Sequence, residues 1–220
     1  MKCFHHGSQK FLDALSSIVD TFSIMEEAKE DLNQRIAKRV RELRAGQNLS
    51  LDALAGKSGV SRSMISLIER GESSPTAVVL DKLAAALGVT LPSLFDSANA
   101  AVPDSPVARR ARQPQWRDPA SGYVRRNVSP QGAPQPMQIT EVEFPAGARV
   151  AFEATRGRRV HQQIWVLEGT MDITVGKERH RLQQGDCLAM VLDSPAMFHN
   201  PVRKAARYAV VIASEMPSRR

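Results

Sequence analysis

Apolar positions in the chain follow two different periods, and the change between them divides the sequence. From Leu32 onward they recur every three or four residues. Leu32, Ile36, Val40 and Leu43 form one stripe, as on a helix with one buried face. Ser50 stands where its hydroxyl can take an orphan amide at the start of a helix over 51–57. Ser61 does the same for a helix over 62–70, which Gly71 ends. Thr76 opens a fourth helix, with Leu80, Leu83, Ala84 and Leu87 on one side and Gly88 as its stop. Thr90 caps a short fifth turn, and Pro92 is tolerated near its start. Past residue 136 the period shortens. Apolar or alternating runs at 137–144, 164–167, 171–175, 187–191 and 208–212 are separated by turn residues such as Pro145-Ala146-Gly147 and Gln184-Gly185-Asp186. Many short strands at this spacing predict an antiparallel sandwich or barrel.

Four regions result. Residues 1–30 are an N-terminal extension, with Phe11, Leu12, Leu15, Ile18 and Val19 at helical spacing. Residues 31–96 are the helical unit. Residues 97–135 are rich in Pro and Arg and read as a linker. Residues 136–214 are the strand unit.

Composition adjusts this picture only modestly. The 220 residues suffice for two domains, and aromatics make up 5% of them, so the cores must rest on aliphatic side chains. A net charge of +7 favours anionic partners, with nucleic acid first. The two cysteines, Cys3 and Cys187, are too few for a disulfide framework or a Cys-rich zinc site, and a reducing cytoplasm is the simplest compartment. No apolar run reaches the roughly 20 residues of a spanning helix. Phosphate-loop, dinucleotide and Gly-x-Ser-x-Gly signatures are all missing from the sequence.

The most informative stretch is 49–71, LSLDALAGKSGVSRSMISLIERG. Two short helices meet through a turn at Gly59, and Leu54, Ala55, Val60, Ile65 and Ile68 suit the packed side. The second helix presents Arg62, Ser63, Ser66, Leu67 and Arg70 outward, since 62, 66 and 70 lie one turn apart. A short polar face led by an arginine suits a major groove, where Arg62 can grip a guanine. Ser50, Ser61 and Arg70 suit phosphates. With Ile68-Glu69-Arg70-Gly71, Ser74-Pro75-Thr76 and 83–89 (LAAALGV), residues 33–95 resemble the phage-repressor-like (Cro/C1, XRE) helix-turn-helix family. The resemblance implies a five-helix, DNA-binding unit with an ion pair between Arg44 and Glu69. Leu51 departs from the glutamine common at that position. The motif occurs once, so a symmetric operator implies a homodimer.

In the strand unit, Val166-Leu167-Glu168-Gly169, Leu182-Gln183-Gln184-Gly185-Asp186 and the Pro195…His199 pair resemble a cupin, a small double-stranded β-helix of the RmlC-like jelly-roll type. Many cupins bind a metal through two His, a Glu and a further His. Here the corresponding places hold Arg156, Arg158 and Gln162, and only His199 remains. Strand alternation turns His161 away from the side that Gln162 faces. Arginines repel a cation, so neither a metal nor another cofactor is expected. Arg158, Gln162 and His199 are instead expected to line the barrel mouth and hold a small-molecule effector, with a carboxylate the simplest candidate. Trp165 and Met190 are expected in the barrel core, and Cys187 as a small buried hydrophobe. The resemblance thus implies a non-enzymatic, DNA-binding transcription regulator whose cupin domain binds an effector, dimerises, or both. Two alternatives stand beside it: a metal-dependent cupin enzyme tethered to DNA, and a ligand-free, antitoxin-like scaffold.

Overall fold

The computed structural model describes residues 32–95, 106–130, 137–154 and 160–214. The expectations placed on 1–30, and on Arg156 and Arg158, fall outside the described residues.

Among the described residues the helical unit has four α-helices and a 3₁₀ turn: α1 (32–46), α2 (Leu51–Ser58), α3 (Arg62–Glu69), α4 (Ala77–Ala86) and the turn Leu91–Phe95. The fifth element expected from sequence is therefore present as a 3₁₀ turn rather than as an α-helix. Ser50, Ser61 and Thr76 each cap a helix by accepting from the amide three residues on. Gly59 ends α2 with φ of 68°, the left-handed conformation that lets the chain turn sharply into α3. Ile36, Val40, Leu54, Ile65, Ile68, Leu80 and Leu83 are almost fully buried and form the core on which all the helices converge.

Among the described residues the strand unit holds ten strands in two sheets. Six come first along the chain: β1 (Gln115–Arg117), β2 (Val124–Asn127), β3 (Met137–Phe144), β4 (Arg149–Phe152), β5 (Val160–Glu168) and β6 (Thr170–Val175). Then follow β7 (Glu178–Gln183), β8 (Cys187–Val191), β9 (Ala196–His199) and β10 (Ala206–Ser214). One sheet runs β1-β2-β3-β10-β5-β8 and the other β4-β9-β6-β7, with every pairing antiparallel. Strands β3 to β10 interleave as the eight strands of a double-sheet jelly roll, which is the cupin barrel. Gly169 makes the β5–β6 turn. A Cβ there would stand 3.1 Å from the Ala206 Cα, so the close approach of β10 requires glycine.

Part of the stretch read as linker is built into this sheet. Strands β1 and β2 form a hairpin that adds to the β3 edge, and Trp116, Tyr123, Arg125 and Arg126 are buried in it. Its prolines and arginines gave a solvated composition, but Arg125 and Arg126 are both buried. Arg126 meets Glu141 at 2.6 Å, and Arg125 donates to the Thr140 hydroxyl.

The two units pack closely against each other. The Asp118 carboxylate accepts from the first amide of α4, Ala77 N, at 2.9 Å. The Lys82 ammonium meets Glu153 on the barrel at 2.7 Å. Thr90 donates to the Gln138 amide oxygen at 2.9 Å. A ladder of rings crosses the seam: Phe95, Trp116, Tyr123, Phe144, Tyr208, Phe198 and Phe152, with successive centroids 5.6–6.1 Å apart.

Candidate nucleic-acid interface and barrel cavity

The recognition candidates lie together on one exposed surface. Ile65, Ile68 and Glu69 are the buried residues of α3. Its opposite face leaves Arg62, Ser63 and Arg70 exposed, with Ser66 and Leu67 partly so. Ser50, the cap of α2, is also exposed. Arg62 extends beside Asp52 of α2 at 3.3 Å, and both side chains are mostly in solvent, so this ion pair is weak and the arginine is available. Arg70 donates to the Ser66 hydroxyl and, at 2.8 Å, to Glu72.

Arg44 and Glu69 fix α3 on α1. The contact is bidentate, at 2.6 and 2.8 Å, and the third Arg44 nitrogen reaches the Leu49 carbonyl at 2.8 Å. Arg41 donates to the Glu69 carbonyl as well. Glu69 is 6% exposed, so this pair works in a region of low dielectric. The carboxylate holds the Arg44 guanidinium above its ordinary range. The pair sets the direction in which the α3 outer face points.

The barrel candidates do not converge. Gln162 is buried, lines the barrel cavity and has the Met190 sulfur as its neighbour at 3.8 Å. His199 lies elsewhere. Phe198 and Ala196 point into the barrel, and alternation along β9 turns His199 to the outer face of the four-stranded sheet. There it lies in a cross-strand row with Arg149, Asp172 and Arg181. The Arg181 and Arg179 guanidiniums hold Asp172 far below the usual carboxylate range. Burial and the neighbouring Arg149 lower the His199 pKa. The mouth proposed from Arg158, Gln162 and His199 is therefore corrected at His199. The spacing from Pro195 was read without the inward or outward phase of the strand.

The same phase moves two further residues. Trp165 is 50% exposed on the outer face of the six-stranded sheet, opposite exposed Cys187, so neither is a core residue. Met190 is buried, as expected.

Of the positions that hold metal in many cupins, the described ones, Gln162 and His199, do not come together as a metal site. Gln162 faces the cavity while His199 faces outward, and among the described residues no three His, Cys, Asp or Glu side chains gather as a metal site. The donor set does not fit a divalent ion.

Sequence reasoning missed what does line the cavity. A space of about 80 Å³ lies between the barrel interior and α4. Its walls include Phe144, Phe152, Phe198 and Tyr208 from the barrel, Arg125 from β2, and Asp81, Ala84 and Ala85 from α4. Arg125 had been counted with the charges of a linker. The only available signal was the apolar alternation Trp116…Tyr123, too short to mark a hairpin.

An arginine-led helix held over a second, tightly capped helix, joined to a jelly-roll barrel, defines a helix-turn-helix DNA-binding protein with a cupin domain. The Helix-turn-helix (HTH_3) family pattern matches residues 40–94. Over 60 residues, 27% of this chain and 78% of the relative, the chain is 33% identical to an HTH-type transcriptional regulator, y4dJ, of Sinorhizobium fredii. Over 171 residues, 78% of this chain and 90% of the relative, it is 25% identical to the HTH-type transcriptional regulator SutR of Escherichia coli. The crystal structure of an HTH_3 family transcriptional regulator from Vibrio cholerae superposes with a TM-score of 0.69 at 27% identity, covering 86% of this chain and 99% of that one. The chain belongs to the XRE-type helix-turn-helix family of transcriptional regulators, with a C-terminal cupin domain. No helix among the described residues is long and apolar enough to cross a membrane.

Proposed function

We propose that this protein is a sequence-specific, non-enzymatic regulator that reads double-stranded operator DNA through α3 and adjusts its grip through an effector held by the cupin domain. The observation that carries the reading is the outer face of α3. Arg62, Ser63 and Ser66 stand at its N-terminal end, where a recognition helix meets base edges. Ser50, Ser61 and Arg70 flank them in positions suited to phosphates. Helix α4 supports the second half of the reading, because it belongs to the DNA-binding unit and also roofs the barrel cavity. A ligand that favours one position of α4 would shift DNA affinity by its differential binding and no more.

Each chain has one reading helix, so a two-fold operator calls for two copies. Met137, Ile139 and Trp165, exposed on the outward face of the six-stranded sheet, support association through the barrels.

The test is selection of genomic DNA fragments by the purified full chain at two salt concentrations. A short inverted repeat, retained at moderate salt, supports the reading. Sequence-blind binding that salt abolishes overturns it.

A further inference from the structure

Arg125 is buried inside the barrel wall, and its environment is unusual for a buried arginine. Its Nη2 donates to Thr140 Oγ1 at 3.0 Å, and its guanidinium lies over the Phe95 ring at 5.6 Å from the centroid. Its Nε is buried and has no hydrogen-bond partner. Arg44 and Arg126 each meet a carboxylate at 2.6 Å, whereas among the described residues no ion pair joins Arg125 to an acidic side chain. A buried donor left unmade is costly, and a buried charge without a counter-ion more so.

Besides the Tyr123 and Tyr208 hydroxyls, the acidic side chain whose field acts on Arg125 is Asp81, which lines the same cavity from α4. Enclosure pushes the Asp81 carboxyl up to about 6, against the pull of Arg125 and with Glu153 adding to the rise. Asp81 is thus a neutral hydrogen-bond donor below about pH 6 and an anion above it, so an anionic ligand on Arg125 is favoured when Asp81 holds its proton. The rest of the cavity is mainly aromatic and aliphatic, with Thr90, Ser194, Gln162 and Glu153 as its other polar residues; Gln162 Nε2 has the Met190 sulfur at 3.8 Å, and the Glu153 carboxylate is met by Lys82 at 2.7 Å.

We propose that this cavity is the binding site of a small monocarboxylate, its anionic group on Arg125, its apolar body against Phe144, Phe152 and Phe198, and α4 closed over it. One buried guanidinium balances one negative charge, which suits a carboxylate and leaves an inorganic dianion with charge in excess. The volume of about 80 Å³ suits a few heavy atoms and excludes a nucleotide or peptide. This assignment rests on the effector reading above and gives it a residue set and a ligand class.

The test is calorimetric titration of the full chain with straight-chain carboxylates from acetate to hexanoate, the corresponding amides, and inorganic phosphate. One carboxylate of the series is expected to bind, with its amide roughly ten- to a hundredfold weaker, as loss of a charge-assisted hydrogen bond implies. Arg125→Met is expected to abolish that preference. Should Arg125→Met not fold, the comparison of carboxylate with amide on the natural chain still decides. No binding by any carboxylate, equal binding of amide and acid, or stronger binding of phosphate overturns the assignment. DNA binding measured on the same preparation separates the two readings. Retained operator binding without carboxylate binding removes only this site. Carboxylate binding without operator binding removes only the DNA reading.

Discussion

Replacing Glu69 by alanine tests how the reading helix is held. The carboxylate is 6% exposed and takes two hydrogen bonds from Arg44, which is itself enclosed between α1 and α3. Removing it leaves a guanidinium with one remaining partner, the Leu49 carbonyl, and no counter-charge. Breaking such a pair from one side costs about 3–5 kcal/mol, a large part of the 5–15 kcal/mol that holds a typical domain together. Replacing both partners removes the stranded charge, so Arg44→Met with Glu69→Leu should recover most of the loss. The assay is urea unfolding of the single and double variants. It is followed by helical circular dichroism and by the fluorescence of Trp116, whose ring lies 5.7 Å from Phe95 at the seam. A loss under about 1 kcal/mol for Glu69→Ala, or strict additivity of the two changes, would refute the claim that a buried pair fixes α3.

Other expectations follow from the seam and the caps. Asp81 is held up to about 6, above its ordinary value of 3.8. Between those values the folded chain keeps a proton that the unfolded chain has lost, so stability falls as pH rises from about 4 to 6 and levels off above that. The fall should reach about 3 kcal/mol, and Asp81→Asn should flatten it in unfolding curves taken across the range. Asp118→Ala removes the acceptor of the Ala77 amide and should cost about 1–2 kcal/mol, exposing Trp116 to quenchers before the barrel melts. Ser61→Ala removes the cap of α3 and should cost about 1 kcal/mol by the same unfolding assay.

The helical unit was legible because its rules are local. A cap, a glycine and a stripe of Leu and Ile at helical spacing mark each helix, and the polar face of α3 is what the stripe leaves over. The barrel was legible as a class through its turns, but less so in detail. A strand places alternate residues on opposite faces, so an error of one position carries a residue through the sheet. That separates His199, on the outer face, from Phe198, in the cavity. Arg125 and Asp81 lay beyond reach for a different reason. They are 44 positions apart in a chain of 220 residues, in segments with unrelated patterns, and only the docking of α4 on the barrel brings them to one cavity.

The central claim is that the outer face of α3 reads DNA. It is tested most directly by fluorescence anisotropy of the full chain and of Arg62→Ala on the selected operator and on a scrambled duplex, across a range of salt. The account predicts that Arg62→Ala loses about 1–3 kcal/mol on the operator, keeps its weak affinity for the scrambled duplex, and leaves the salt slope nearly unchanged, as for a base contact. Equal binding of operator and scrambled DNA by the natural chain, or an Arg62→Ala variant that discriminates between them as well as the natural chain does, would contradict it.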